Sequence, residues 1–284
     1  MAFISLIKHL LYLDRYSSTS KKGTERGILK KRLVLGMISL LVPLILLIAW
    51  QFAVSFKWID SLFLPSLTDI CSEFVNIAKN GYGGRSLIAH LAASLTRIGI
   101  AFIVGSILGI VLGLLMGYYK YVNAAFSLIA EILRPLPPLA FIPLFILWFG
   151  IGEVSKVLII LYSGLLIVML NAISGVRACP EQKILAGYSL GASDRAIFLN
   201  IILPSALPQI MTGVRIALSV DFGILVASEL LGGDNGLGFI IQDAGTFFNT
   251  NALFVGIFLI GFLGVIFDRL LGMISMKLVH WEGK

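Results

Sequence analysis

Charged residues are scarce in this sequence. Lys, Arg, Asp and Glu make up 13% of the 284 residues, whereas 58% are hydrophobic and the mean hydropathy is +0.97. This balance excludes a soluble globular protein. Five stretches carry no charge at all: 33–56, 98–119, 135–152, 157–176 and 244–267. Four of them meet or exceed the roughly 20 residues that cross a hydrocarbon core, so the sequence predicts a membrane protein with several spans.

Residues that carry catalytic chemistry are also few. The three histidines, His9, His90 and His280, fall at or beyond the ends of the apolar stretches, which excludes a Ser–His pair inside the membrane. Cys71 and Cys179 are expected on opposite sides of the membrane and give no disulfide or metal site. There is no HExxH motif and no phosphate-binding loop, so we expect no metal, no cofactor and no ATP hydrolysis by this chain itself.

Positive charge is concentrated at the N-terminus. Eight of the 22 Lys and Arg precede residue 33, and such a cluster beside a first span keeps that side in the cytoplasm. The net charge of +7 is therefore a signal of topology rather than of a nucleic-acid partner. The tail, residues 1–32, is either an amphipathic helix on the bilayer surface or disordered.

The apolar stretches and the charges together predict an all-α membrane domain over 33–280. Its six spans are expected at about 33–55, 92–119, 123–150, 155–176, 207–231 and 251–273, followed by a cytoplasmic tail, 281–284. This order places 15 Lys and Arg in cytoplasmic segments and five outside or at outer helix ends, as the positive-inside rule requires. The third span must be broken, because four prolines interrupt it: Pro135, Pro137, Pro138 and Pro143.

Four glycines recur at intervals of four residues in the second span: Gly105, Gly109, Gly113 and Gly117. They lie on one face of the helix, where small residues let another helix approach closely. The stripe indicates a helix-packing seam in preference to a direct role in binding a substrate.

The segment 181–204 predicts a helical hairpin between two spans on the cytoplasmic side. Gly191 ends its first helix, and Ser193 caps a second helix that stops at Pro204. A DNA-binding hairpin is excluded by the tethering spans and by the low positive charge. A plain connecting loop is the alternative, but the regular apolar spacing favours a surface that docks on a partner.

The hairpin resembles the EAA loop of ABC importer permeases, whose pattern is E-A-A-x3-G-x9-I-x-L-P. The matching segments are Leu185-Ala186-Gly187, then Gly191, and then Ile201-Ile202-Leu203-Pro204, with Leu185 and Gly187 departing from the pattern. Further similarity over about 85–280 is closest to the branch that imports taurine, alkanesulfonates and nitrate. The resemblance implies a type I ABC importer permease in the inner membrane with both termini in the cytoplasm. It also implies two separate ATPase subunits, a soluble substrate-binding protein and a second copy of the chain, most simply as a homodimer.

Three ionisable residues within the predicted spans are candidates to line the pathway: Arg134, Asp221 and Glu229. Asp221 and Glu229 either line it or bond to neighbouring groups, and Arg134 either caps freed carbonyls or attracts an anion. The resemblance points to a small oxyanion or sulfonate, which two ionised acids would repel. A zwitterionic amino-sulfonate such as taurine is therefore the first choice of substrate, and nitrate or an alkanesulfonate the second. An intramembrane aspartyl hydrolase, which needs two facing acids, and a secondary transporter, which needs paired broken helices, are the alternatives.

Overall fold

The computed structural model describes residues 25–230, 232–279 and 281, and they form two compact units that divide between residues 66 and 67. Of the two expected tails, 1–32 and 281–284, residues 1–24 and 282–284 lie outside the described residues. In the first unit, helix α1 (Glu25–Ser55) covers the predicted first span. The indole Nε1 of Trp50 donates a hydrogen bond of 3.0 Å to the carbonyl oxygen of Pro65, which ties the following turn back to α1.

The described part of the second unit consists of helices joined by turns and loops, with one isolated β-bridge between Tyr82 and Arg85. Its helices are α2 (Leu67–Asn80), α3 (Leu87–Tyr118), α4 (Lys120–Leu133), a short 3-10 helix (Pro138–Phe141), α5 (Ile142–Phe149), α6 (Glu153–Arg177), α7 (Glu181–Ser189), α8 (Asp194–Ile197), a π-helix (Phe198–Ile202), α9 (Leu203–Leu230), α10 (Leu237–Thr246) and α11 (Thr250–Leu278).

Among the described residues, four helices are long and apolar enough to cross a membrane: α3, α6, the continuous run 194–230 and α11. A fifth span forms if α4 and 138–149 are taken together, although they meet at an angle of 90°. The prolines at 135–138 cause this bend, since they cannot donate the backbone hydrogen bonds that would continue α4. The predicted all-α membrane fold and the break in its third span are confirmed.

The packing core lies among α3, α6 and α9. Buried apolar side chains from all three helices meet in one cluster that includes Ile98, Ile160 and Leu225. A second cluster joins α6 and α9 to the hairpin through Val176, Ile197 and Ile202. The hairpin is therefore packed directly on two spans rather than suspended below them.

The four glycines of α3 face α6. A methyl group placed on Gly109 would lie 2.8 Å from the Leu165 carbonyl oxygen, and one on Gly113 would lie 2.6 Å from the Met169 carbonyl oxygen. The corresponding distance for Gly105 is 3.0 Å, to the carbonyl oxygen of Leu161, and Gly117 faces Val176. The two helix backbones thus approach more closely than any larger residue would permit.

One helix boundary was predicted wrongly. Pro204 was expected to end the hairpin, but the chain continues as a helix from 194 through 230. The π-helix explains this, because the Leu203 amide bonds to the Phe198 carbonyl five residues back. Pro204, which has no amide hydrogen to donate, directly follows this π-helix as the second residue of α9. Helices α2 and α10, in segments expected to be extramembrane connections, were not predicted.

We expect Gly113→Ala to destabilise the protein by about 1–3 kcal/mol, because the added methyl would overpack the α3–α6 seam. Gly99→Ala is the matched control in the same helix, since a methyl there meets nothing within 4 Å. Thermal unfolding of the purified protein in detergent measures both changes. Equal melting temperatures for the two variants would show that the seam does not require glycine.

Candidate functional site

The hairpin 181–204 presents an apolar groove at one end of the second unit. Gly191 adopts φ +78°, which turns the chain between α7 and α8, and the Ser193 hydroxyl accepts a 3.4 Å hydrogen bond from the Ala196 amide. Gly187 packs against Ile201, which fixes the two arms of the hairpin to each other. The groove measures about 660 Å³, and its lining residues include Lys183, Ala186, Leu190, Ile201, Pro204 and Trp281.

Some residues of the predicted motif are buried within the hairpin, and others are exposed on its surface. Gly187 is buried against Ile201, and Leu203 is partly buried, whereas Leu185 of the motif and its neighbour Leu190 are exposed by 56% and 88%. Exposed leucines beside an apolar groove are the usual features of a surface that another protein covers. Across the turn, the Tyr188 hydroxyl donates a 2.8 Å hydrogen bond to Asp194, which raises the pKa of Tyr188.

The opposite end of the unit contains a buried polar cluster around Arg97, which we call the arginine cluster. The guanidinium donates two hydrogen bonds of 2.5 Å to Glu153, one of 2.7 Å to Glu229 and one of 3.1 Å to the Asn235 carbonyl oxygen, and a fifth to the Asn235 side chain. All five of its N–H groups are therefore used. Arg97 was expected at the outer end of a helix, yet it is 2% exposed and joins α3, α6 and α9.

Both carboxylate oxygens of Glu229 accept hydrogen bonds within this cluster. One of its carboxylate oxygens accepts hydrogen bonds of 2.7 Å from Arg97 and from the Ser94 hydroxyl, and the other accepts 2.7 Å from the Gly238 amide. The Leu237 amide donates 2.8 Å to Ser94. Glu229 and Ser94 thus satisfy the first free amides of α10, which a helix cannot satisfy itself.

Asp221 has a different environment. Its carboxylate is fully buried against Gly164 of α6, where a methyl group on the glycine would lie 2.6 Å from Asp221 Oδ2. Among the described residues, neither oxygen of Asp221 has a hydrogen-bond partner within normal geometry. Asp221 and Glu229 therefore do not face each other as a catalytic pair would, and Arg215 binds Asp268 of α11 rather than either acid.

Arg134 lies at the break after α4 and is exposed. It lines a small groove between α4 and α6 together with Arg177. The described residues contain no group of His, Cys, Asp and Glu side chains arranged to hold a metal ion.

We expect Arg97→Met to lower the free energy of unfolding by about 3–5 kcal/mol, because it leaves Glu229 buried without its counter-charge. Arg85→Met is the matched control at the same end, since the Arg85–Asp234 pair is largely exposed and contributes at most about 1 kcal/mol. Thermal unfolding of the purified variants compares the two. Similar losses in both would contradict the buried cluster.

Comparisons with known proteins agree with this architecture. Residues 105–280 match the family model "Binding-protein-dependent transport system inner membrane component". The chain is 39% identical to the taurine transport permease TauC of Escherichia coli over 84% of this chain and 88% of that protein. It is 32% identical to a putative aliphatic sulfonates permease, SsuC, of Bacillus subtilis (87% and 88% covered) and 29% identical to the nitrate import permease NrtB of Synechocystis (84% and 88%).

Solved structures share the fold. Inward-facing structures of the MetNI methionine ABC transporter superpose with a TM-score of 0.57 at 20% identity, covering 70% of this chain and 96% of the matched one. An amino acid ABC transporter gives a TM-score of 0.54 at 17% identity, with 73% and 97% covered. The chain therefore belongs to the family of inner-membrane components of binding-protein-dependent transport systems, which are transporter subunits of ABC importers and not enzymes.

Proposed function

We propose that this chain forms half of the translocation pathway of an ABC importer for a small sulfonate or oxyanion. A second copy supplies the other half, two ATPase subunits dock on the hairpin, and a soluble binding protein delivers the substrate at the opposite end. A taurine-like amino-sulfonate is the first choice of substrate, and nitrate or an alkanesulfonate is the second.

The observation that carries this proposal is the hairpin. Its motif residues include Gly191 at the turn and four residues that line an apolar groove, and exposed leucines lie beside that groove. Because the hairpin packs directly on α6 and α9, displacement of the hairpin by a partner is passed to two spans. ATP-driven closure of the partner can then bias the two states of an alternating-access equilibrium.

The hairpin also supports a proposal for the orientation of the chain across the membrane. Trp281, close to the C-terminus, lines the hairpin groove, so the end of α11 lies at the same end of the unit as the hairpin. Because an ATPase is available only in the cytoplasm, we infer that the hairpin and the C-terminus lie there. The loops 81–86 and 232–236 then face outward, and Arg85 holds the pKa of Asp234 there below its usual range.

The substrate is supported by the relatives. Taurine, aliphatic sulfonates and nitrate are the substrates named for the three permeases described above, and the highest of those identities is with the taurine permease. The described residues lend no support to the alternatives, since Asp221 and Glu229 occupy separate sites on α9 and Glu229 is held by Arg97.

The test is uptake of radiolabelled taurine by cells that express this chain with its ATPase and binding protein. We expect the cells to take up labelled taurine. Excess unlabelled taurine should abolish this uptake, and nitrate should inhibit it only weakly. In the same assay Gly191→Val should lose uptake, because a β-branched residue is strained at φ +78° and would distort the docking turn.

The matched control is Gly191→Asn, because Asn tolerates positive φ and nothing lies within 4 Å of the added side-chain carbon. It should retain most of the uptake at equal expression. Full uptake by Gly191→Val would refute the docking turn, and uptake of nitrate but not of taurine would replace the first substrate by the second.

A further inference from the structure

A ladder of polar side chains follows one face of α4. Asn123, Ser127, Glu131 and Arg134 are spaced by four, four and three residues, which places them in one row along the helix. The opposite side of α4 is apolar and exposed, as at Phe126 and Ile129. A helix in a membrane protein that carries one polar row turns that row toward protein or toward an aqueous route.

The row faces α6 across a cavity of about 220 Å³, which we call the α4–α6 groove. From α6, Ser174 and Arg177 contribute polar groups to the same cavity. The groove is smaller than the roughly 300–1,000 Å³ of typical drug-sized sites, so it suits a small solute. The polar groups that line the groove are two guanidinium groups, one carboxylate, two hydroxyls and one amide.

The charged side chains in the groove do not pair with one another. Arg177 donates a 2.7 Å hydrogen bond to the Asn123 side chain, and the Ser174 hydroxyl donates 2.8 Å to the Leu170 carbonyl oxygen. Glu131 and Arg134 lie three positions apart on the same helical face, yet within the described part of the chain they form no ion pair and no side-chain hydrogen bond. Both remain available to a ligand.

The chemistry of these groups selects a zwitterion. Guanidinium groups bind the oxygens of sulfonate or phosphate through paired N–H donors, and a carboxylate binds an ammonium. A plain anion would gain from the two arginines but would be repelled by Glu131. Asp221 and Glu229 cannot supply this carboxylate, since both are fully buried away from the groove.

On the basis of the proposed importer function, we infer that the α4–α6 groove binds the substrate on its way to the cytoplasm, with Arg134 and Arg177 holding the sulfonate and Glu131 the ammonium. The groove lies on the hairpin half of the spans, because Arg177 is the last residue of α6 before the hairpin. The same chemistry, an ammonium and a tetrahedral oxyanion joined by a short linker, occurs in a phosphatidylethanolamine headgroup, so the test must separate these two sources.

The test is equilibrium binding of radiolabelled taurine and of ethanesulfonate, which lacks the amine, to the purified full chain in phosphatidylcholine nanodiscs. Glu131→Gln should weaken taurine binding about tenfold and leave ethanesulfonate binding unchanged or tighter. Arg134→Gln should weaken both by about tenfold. Arg269→Gln, an exposed arginine of α11 outside the groove, is the control and should change neither.

A second readout places the ligand in the groove. On a background without Cys71 and Cys179, taurine should slow thiol modification of Ser127→Cys, which lines the groove. It should not slow modification of Phe126→Cys, the adjacent residue on the exposed face. Nanodiscs of phosphatidylethanolamine should leave the affinity for taurine the same.

Absence of taurine binding, or equal effects of Glu131→Gln on both ligands, would overturn the inference. A loss of taurine binding only in phosphatidylethanolamine would assign the groove to the lipid headgroup instead. Failure of the importer function itself would appear separately, as absence of taurine uptake by cells that express the wild-type chain. If wild-type cells take up taurine but the Glu131→Gln chain binds taurine as tightly as the wild type, the groove alone is refuted.

Discussion

The close approach of α3 to α6 is the constraint on which the rest of the second unit depends. Gly109 and Gly113 face backbone carbonyls of α6 at distances that exclude any side chain, so the two helices meet along their length without an intervening layer. Lipid tails are as apolar as the side chains of a span, so close backbone contact rather than the hydrophobic effect must hold the helices together. Helix α9 packs on the same pair, and the hairpin, which α9 continues, inherits its position from that packing.

An arginine buried in this packing has to direct its donors at other protein groups, because burying an unpaired charge is costly. Arg97 does so completely, with five donors directed at Glu153, Glu229 and Asn235. Through Glu229 and Ser94 the same cluster caps α10 and fixes the loop that precedes it. The spans of this unit are therefore joined by a polar cluster at one end and by an apolar hairpin at the other.

The sequence was informative where a local rule determines the structure. Charge-free stretches located the spans, the prolines at 135–138 predicted the break, and Gly191 predicted a turn that the structure forms with positive φ. It was uninformative where the outcome depends on contacts between distant segments. Nothing near Arg97 in the chain indicates that Glu229, 132 residues away, is its partner, and Pro204 is compatible with a helix only because a π-turn precedes it. The sequence around Glu131 likewise does not indicate that polar groups of α6 face it across the groove.

The central claim is that the hairpin faces the cytoplasm while the loop after α10 faces outward. The direct measurement is labelling of single-cysteine variants in intact cells with an impermeant maleimide, on a background without Cys71 and Cys179. Leu190→Cys in the hairpin and Phe247→Cys after α10 are suitable because the native side chains are 88% and 73% exposed. The account predicts that the variant at 247 is labelled and that the variant at 190 is labelled only after the membrane is permeabilised. Labelling at 190 in intact cells would contradict it, since no ATPase could then reach the hairpin.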